Sequence, residues 1–282
     1  MTTSLRDQLA AAARRLEAAG VPSPRTDAEL LAAHVLGVPR GQLAMAGPLT
    51  GSRWRRFTRL VAARCRRVPL QHLTGTAAFG HLELAVGPGV FVPRPETELL
   101  AEWAVARDGA VIVDLCSGSG ALALEIAHEL PRATVYAVER SPAALRWLRR
   151  NAAARAAAGD RPVRVVAGDA RDPAVLAELD GTVDLVVCNP PYVPAATAVA
   201  PEVRSDPPEA VFGGADGLAV IVPVIDRAAR LLRPGGWFGV EHDDSHGRAV
   251  PELLRRDGRF HRVSDHRDLA GRPRYATAQR AG

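Results

Sequence analysis

From position 110 onward the chain alternates apolar runs of strand length with amphipathic runs of helix length, and this alternation narrows the fold more than any other feature. Strands are expected over 110–115, 134–139, 163–167, 183–188 and 237–241, with helices over 121–130, 141–156, 218–232 and 250–255. Residues 259–264 and 274–278 read as closing strands. Strands joined through helices run parallel, so the pattern predicts a doubly wound α/β sheet. Ligands of such sheets bind beyond the carboxyl ends of the strands, where the strand order reverses.

The first quarter of the chain reads differently. Leu5, Leu9, Ala12 and Leu16 recur at helical spacing until Gly20 and Pro22. Thr26 with Glu29 offers a capping box for a second helix, and Ser52 a cap for a third with Trp54, Phe57, Leu60 and Val61 on its inner face. Residues 1–75 are therefore expected to form a small helical domain that recognises or positions a partner. Residues 76–92 carry a hairpin signature: Leu82, Leu84 and Val86 alternate, Gly87-Pro88-Gly89 turns the chain, and Val90-Phe91-Val92 follows. Residues 93–282 then form the sheet domain.

Charge and cysteine usage narrow the class. All 36 basic residues are arginine, and the net charge of +5 is modest for 282 residues, permitting an anionic partner without requiring one. Arg53, Arg55, Arg56, Arg59, Arg64, Arg66 and Arg67 cluster, and a solvated helix face is the expected reading over a partner patch. Cys65, Cys116 and Cys188 show no metal spacing, so no metal site is expected, and reduced thiols are the default. The segment Met1-Thr2-Thr3-Ser4-Leu5-Arg6 lacks a signal-peptide core, and no stretch is apolar enough to span a membrane. A cytoplasmic, monomeric protein is expected.

Chemistry-bearing residues fall at the predicted strand ends. Asp114-Leu115-Cys116-Ser117-Gly118-Ser119-Gly120 lies where the first strand feeds the first helix, and its glycines let a ligand approach the backbone. The string also fits a dinucleotide fingerprint. Asp114, however, places a carboxylate that suits a cationic amino-acid moiety and sits badly beside a pyrophosphate. Glu139, ending the second strand, is placed to accept both hydroxyls of a ribose. Asp169, with Ala170 after the third strand, is placed near a base and its exocyclic amine. A ribose and a cation without phosphates describe S-adenosylmethionine.

The fourth strand ends in Asn189-Pro190-Pro191-Tyr192. Two prolines stop the strand and hold Asn189 extended. The resulting corner presents the Asn189 side-chain oxygen and the Pro190 carbonyl, each able to accept one N–H of an NH2 group, with Tyr192 to pack on its plane.

These residues resemble the class I methyltransferases, and more closely the HemK/PrmC family of protein-glutamine N5-methyltransferases. The resemblance spans nearly the whole chain. It rests on Phe91-Val92-Pro93-Arg94-Pro95-Glu96-Thr97-Glu98, the Asp114–Gly120 loop, Asn189 to Tyr192, the stretch from Glu209 to Leu218, Leu232 to Gly236 and Asp268 to Arg272. It implies a Rossmann-like sheet, S-adenosylmethionine bound by Asp114, Cys116 to Gly120, Glu139, Asp169, Ala170 and Asn189, and a class-1 peptide chain release factor as substrate. The glutamine of that factor's Gly-Gly-Gln motif would be held by Asn189, Pro190, Pro191 and Tyr192, with both amide hydrogens fixed so that the nitrogen lone pair faces the methyl group. Three positions depart from the family. Cys116 stands where glycine is usual and crowds the loop, Ala170 replaces a bulkier residue, and Glu241-His242-Asp243-Asp244 replaces the commoner Glu-x-Gly.

The Asn-Pro-Pro-Tyr corner leaves two related chemistries open: methylation of a glutamine in a large-subunit ribosomal protein, and adenine-N6 methylation of nucleic acid. The second needs a groove for a flipped base, for which 75 residues are few, and direct nucleic-acid binding is not expected. A non-catalytic adaptor is disfavoured by the intact tetrapeptide, and a nicotinamide oxidoreductase by Asp114.

Overall fold

The computed structural model describes residues 4–282; residues 1–3, the start of the segment read as lacking a signal-peptide core, lie outside them. The chain divides into two compact units. One runs to Thr76 and includes Ala200–Ser205; the other comprises Ala77–Val199 and Asp206–Gly282.

The first unit packs α1 (Leu5–Ala18), α2 (Pro24–Leu36), α3 (Gly51–Cys65) and the short α4 (Leu70–Thr74) around Leu16, Leu31, Phe57 and Val61. Helix starts differ from the expected ones by a few residues. Ser23 precedes α2, with Pro24 at its first turn, so Thr26 lies inside the helix, and Glu29 is held by Arg25 and Arg40 instead of closing a capping box. Thr50 precedes α3, and Ser52 lies within it. The arginine cluster is not uniformly a solvated face. Arg64 is 5% exposed and pairs with Asp27 at 2.7 Å and Glu202 at 2.9 Å, while Arg67 grips both Glu202 oxygens at 2.6 and 2.7 Å. Two buried or half-buried guanidinium groups are thus neutralised by the 200–205 segment and by α2.

In the second unit a hairpin, β1 (Thr76–Phe79) and β2 (Leu82–Ala85), precedes the sheet. Its turn is at Gly80-His81, not at the expected Gly87-Pro88-Gly89. Gly80 sits at φ +53°, and a Cβ there would lie 2.2 Å from the Glu125 carboxylate, which accepts the His81 amide at 3.1 Å. Gly87 to Gly89 instead form a loop against the following helix layer, where the Trp147 indole donates to the Pro88 carbonyl at 3.3 Å. Val90, Phe91 and Val92 are not a strand.

The main sheet is built from β3 (Val111–Leu115), β4 (Thr134–Glu139), β5 (Arg164–Ala167), β6 (Val183–Cys188), β7 (Leu232–Glu241), β8 (Phe260–Arg267) and β9 (Pro273–Arg280). Their order is β5-β4-β3-β6-β7-β9-β8. The first five are parallel; β9 pairs antiparallel with both β7 and β8, so the sheet is mixed. Helices α5 (Glu98–Val105), α6 (Ala121–Glu129), α7 (Pro142–Ala157), the one-turn α8 (Pro208–Val211), α9 (Ile221–Leu231) and α10 (Ala249–Asp257) complete it. The helix expected over 218–232 runs only Ile221–Leu231, so Pro234-Gly235-Gly236 does not stop it but lies inside β7: Leu232 already pairs with Val183, and the residues up to Trp237 bulge out before pairing resumes. The chain leaves β3 toward β5 and then crosses back to lay β6 beside β3. That reversal opens a crevice above the carboxyl ends of β3 and β6.

Candidate active site

An open cleft lined by Asp114, Cys116 to Ser119, Glu139, Asp169, Ala170 and Asn189 occupies this crevice. The glycine loop forms its floor. Cys116 adopts φ +68°, a left-handed conformation that disfavours an L-residue by about 1–2 kcal/mol, which is the physical reason glycine suits this position. Gly118 and Gly120 share that conformation at φ +57° and +92°. A Cβ on Gly120 would lie 2.6 Å from Leu148, so the loop-to-helix junction admits nothing larger. Asn151 on α7 holds the loop from behind, donating to the Ser119 carbonyl at 2.9 Å and bonding both backbone groups of Ala85.

Asp114 ends 1% exposed beside this loop, and neither carboxylate oxygen has a hydrogen-bond partner. Burial raises its pKa to about 8, against weaker polarisation by Ser117 and the Ala123 backbone amide and with a small addition from the Glu139 charge. An orphaned buried carboxylate facing a cleft calls for a cationic donor. Glu139 accepts the Gly118 amide at 2.8 Å on one oxygen and the Ser141 amide at 2.6 Å on the other, leaving one lone pair on each for a ligand diol. A ligand that carries an ammonium and a ribose diol, as S-adenosylmethionine does, matches what these two carboxylates offer. Asp169 and Ala170 line the same cleft. The Asp169 carboxylate is already gripped by Arg171 at 2.6 Å, which with the Arg171 amide and Arg140 holds its pKa down at about 2. Any contact of this carboxylate with a base would compete with Arg171.

The corner after β6 meets the cleft through Asn189 and Pro191; Pro190 is buried behind them. The Asn189 side-chain nitrogen donates to the Thr97 hydroxyl at 3.1 Å. Among the described residues no donor reaches its oxygen, and the Pro190 carbonyl serves no strand or helix. Tyr192 packs its ring against the core and donates its hydroxyl to Glu241 at 2.7 Å. Glu241, at the end of β7, is 1% exposed, and burial raises its pKa. The departure at His242 is accommodated locally: the ring is fully buried, bonding Asp265 at 3.0 Å and the Asp243 carbonyl at 2.9 Å.

The 91–97 segment lines the cleft mouth through Phe91, Pro93 and Thr97. Buried Asp206 gathers it, accepting the Val92 amide at 3.1 Å and pairing with Arg94, whose guanidinium lies 4.8 Å above the Phe91 ring. Thr97, Glu241, Asn151 and Asp206 are site residues that motif spacing did not single out. Thr97 stands inside a stretch that carries the family resemblance and Glu241 at the head of one that departs from it, but their contacts with Asn189 and Tyr192 span 92 and 49 residues.

Comparison with known proteins agrees with this geometry. The PrmC N-terminal domain family matches residues 7–75, and the methyltransferase small domain family matches residues 82–241. The chain is 55% identical to the release factor glutamine methyltransferase of Mycolicibacterium smegmatis, over 99% of this chain and 98% of that one. It is 41% identical to the 4-amino-L-phenylalanine/4-methylamino-L-phenylalanine methyltransferase of Streptomyces pristinaespiralis, over 93% and 90%. The fold is shared with a T. thermophilus 16S rRNA methyltransferase solved with AdoMet and guanosine, at a TM-score of 0.50 and 23% identity, over 73% of this chain and 49% of that one. Among the described residues no helix is long and apolar enough to cross a membrane. With the family matches together spanning most of the chain and a relative above half identity along its full length, the chain belongs to the HemK/PrmC family of S-adenosylmethionine-dependent glutamine methyltransferases.

Proposed function

We propose that this protein methylates the side-chain amide nitrogen of the glutamine in the Gly-Gly-Gln motif of class-1 peptide chain release factors. The observation that carries the site assignment is the Asn189 amide, whose nitrogen is committed to Thr97 and whose oxygen is left for an incoming N–H. When bound, S-adenosylmethionine supplies an electrophilic sulfonium methyl.

An amide nitrogen is a weak nucleophile because its lone pair is delocalised. Asn189 Oδ1 and the Pro190 carbonyl accept the two amide hydrogens and so set the plane and direction of the nitrogen, at a near-attack separation of about 3–3.5 Å. The same two acceptors favour the positive charge that develops on nitrogen. Pro191 forms the wall beside Asn189, and Tyr192, tied to Glu241, braces the corner from the core. Asp114 receives the cofactor's ammonium, Glu139 its ribose, and residues 116–120 with Asp169 and Ala170 enclose the remainder. The nitrogen proton leaves to solvent, so no strong base is required.

The test is a transfer assay with labelled S-adenosylmethionine and four acceptors: a release factor, the same factor with its Gly-Gly-Gln glutamine changed to alanine, duplex DNA, and 4-amino-L-phenylalanine. Label confined to the intact factor is expected; label in DNA or the free amino acid overturns the substrate assignment. Asn189→Ala is expected to lower kcat by about 100-fold or more while the cofactor Kd stays within about threefold. Parallel loss of both refutes the role given to Asn189.

A further inference from the structure

We propose that Thr97 and Glu241 are positioning residues that decide which end of the Asn189 amide faces the substrate. The inference rests on the function proposed above and deepens it. The two ends of an asparagine amide are alike in size and opposite in polarity, so its hydrogen-bond partners decide the orientation. Only the oxygen-outward orientation accepts an N–H; the reverse sets one NH2 group against another.

The partner that chooses is a hydroxyl, which by itself either donates or accepts. Thr97 Oγ1 lies 3.1 Å from Asn189 Nδ2, and Thr97 is only 4% exposed, so its neighbours more than solvent settle the matter. Its own proton must go elsewhere for it to act as acceptor. Glu241 provides the place. Its carboxylate is buried within reach of Thr97, the hydroxyl of Tyr192 already donates to Oε1 at 2.7 Å, and Oε2 is buried with no hydrogen-bond partner, an acceptor open to the Thr97 proton. The Tyr192 and Thr97 hydroxyls favour its charged form against the burial that opposes it, and in that form the carboxylate only accepts, drawing the Thr97 proton toward itself and turning the Thr97 lone pair toward Asn189. Polarity thus runs one way, from the Asn189 amide through the Thr97 hydroxyl to Glu241. The residues come from three separate places: the turn before α5, the corner after β6 and the end of β7.

Three variants test this with the full-length enzyme and the release factor as acceptor. Thr97→Val keeps the shape and removes the hydroxyl; kcat should fall about 10- to 30-fold, while KM for the factor, cofactor Kd and Tm move little. Thr97→Ser restores the hydroxyl and should return kcat to within about threefold of wild type. Glu241→Gln is isosteric but offers an NH2 group to Thr97, freeing the Thr97 proton for Asn189 Oδ1. It should therefore lose kcat at least as severely as Thr97→Val. A readout independent of turnover is the Asn189 side-chain amide in 15N spectra, whose hydrogens should be protected from exchange in wild type and Thr97→Ser and unprotected in Thr97→Val. Thr97→Val within twofold of wild-type kcat, or Thr97→Ser falling as far as Thr97→Val, overturns the inference. Wild-type enzyme that labels no release factor overturns the functional reading and this one with it; normal wild-type turnover with an unaffected Thr97→Val overturns this one alone.

Discussion

Replacing Asp114 with asparagine separates two consequences of burying a lone carboxylate. In the free enzyme burial raises its pKa from an ordinary 3.8 to about 8, so at pH 6 about one molecule in a hundred carries the charge that an ammonium would pair with, and at pH 7 about one in ten. Binding a cationic ligand must therefore expel a proton. Observed cofactor affinity should rise about tenfold from pH 6 to 7 and peak near pH 8, where the ligand's own α-amino group, with a pKa of about 7.7–8.0, begins to lose its proton. The net gain from pH 6 to the peak is about 20-fold. Asp114→Asn abolishes the rise and weakens binding at pH 7 by about 2–4 kcal/mol. That is the loss of about 3–5 kcal/mol for an ammonium deprived of its buried partner, less the ~1.4 kcal/mol needed to ionise Asp114 at that pH. Stability of the free enzyme moves oppositely. A folded-state pKa above the unfolded one stabilises fully below pH ~4, and that contribution is lost as pH rises toward 8. The variant is not subject to this loss and should gain up to about 4 kcal/mol at pH 7, the product of about 3 pH units and 1.4 kcal/mol per unit, and nothing below pH 4. Calorimetric titration with S-adenosylmethionine in buffers of differing ionisation enthalpy measures affinity and released protons together, and urea unfolding of the cofactor-free protein measures the gain. A wild-type affinity that varies less than threefold from pH 6 to 7.5, or an asparagine variant with the wild-type slope, refutes the assignment.

Two further outcomes concern the scaffold. Gly120→Ala combines a left-handed backbone at φ +92° with a Cβ 2.6 Å from Leu148 and 2.9 Å from Leu124, and should destabilise the protein by about 2–5 kcal/mol in chemical denaturation. A loss under 1 kcal/mol would mean that the junction tolerates a side chain. Glu202→Gln removes the charged partner that Arg67 grips at 2.6 and 2.7 Å and that Arg64 meets at 2.9 Å; Arg64 keeps Asp27. A loss of about 2–3 kcal/mol is expected for the helical unit, followed by hydrogen exchange of α3, and unchanged protection there would show the pairs to be ornamental.

What the sequence disclosed and what it withheld divide along a physical line. The strands β3, β4 and β6 are continuous apolar runs because both faces of a parallel sheet are covered, and the residues that end them, Asp114, Glu139 and Asn189, inherit their place from that topology. Local rules suffice for such positions. They fail where the deciding contact is distant. The hairpin turn lies at Gly80-His81 because the Glu125 carboxylate occupies the space a Cβ on Gly80 would need and accepts the His81 amide, and Glu125 is on a helix 44 residues beyond His81. Arg64 looks like part of a solvated stripe until Asp27 and Glu202, 37 and 138 positions off, are folded against it. The same holds inside the site. A strand end delivers Asn189 to the cleft, but an amide delivered without an orientation presents a donor as readily as an acceptor. The residues that remove this ambiguity, Thr97 and Glu241, carry no spacing signature because they act only once the 91–97 segment and the end of β7 have been brought to the corner after β6. Placement of the reacting groups thus follows from the order of strands, and their polarity from contacts that exist only in the folded sheet.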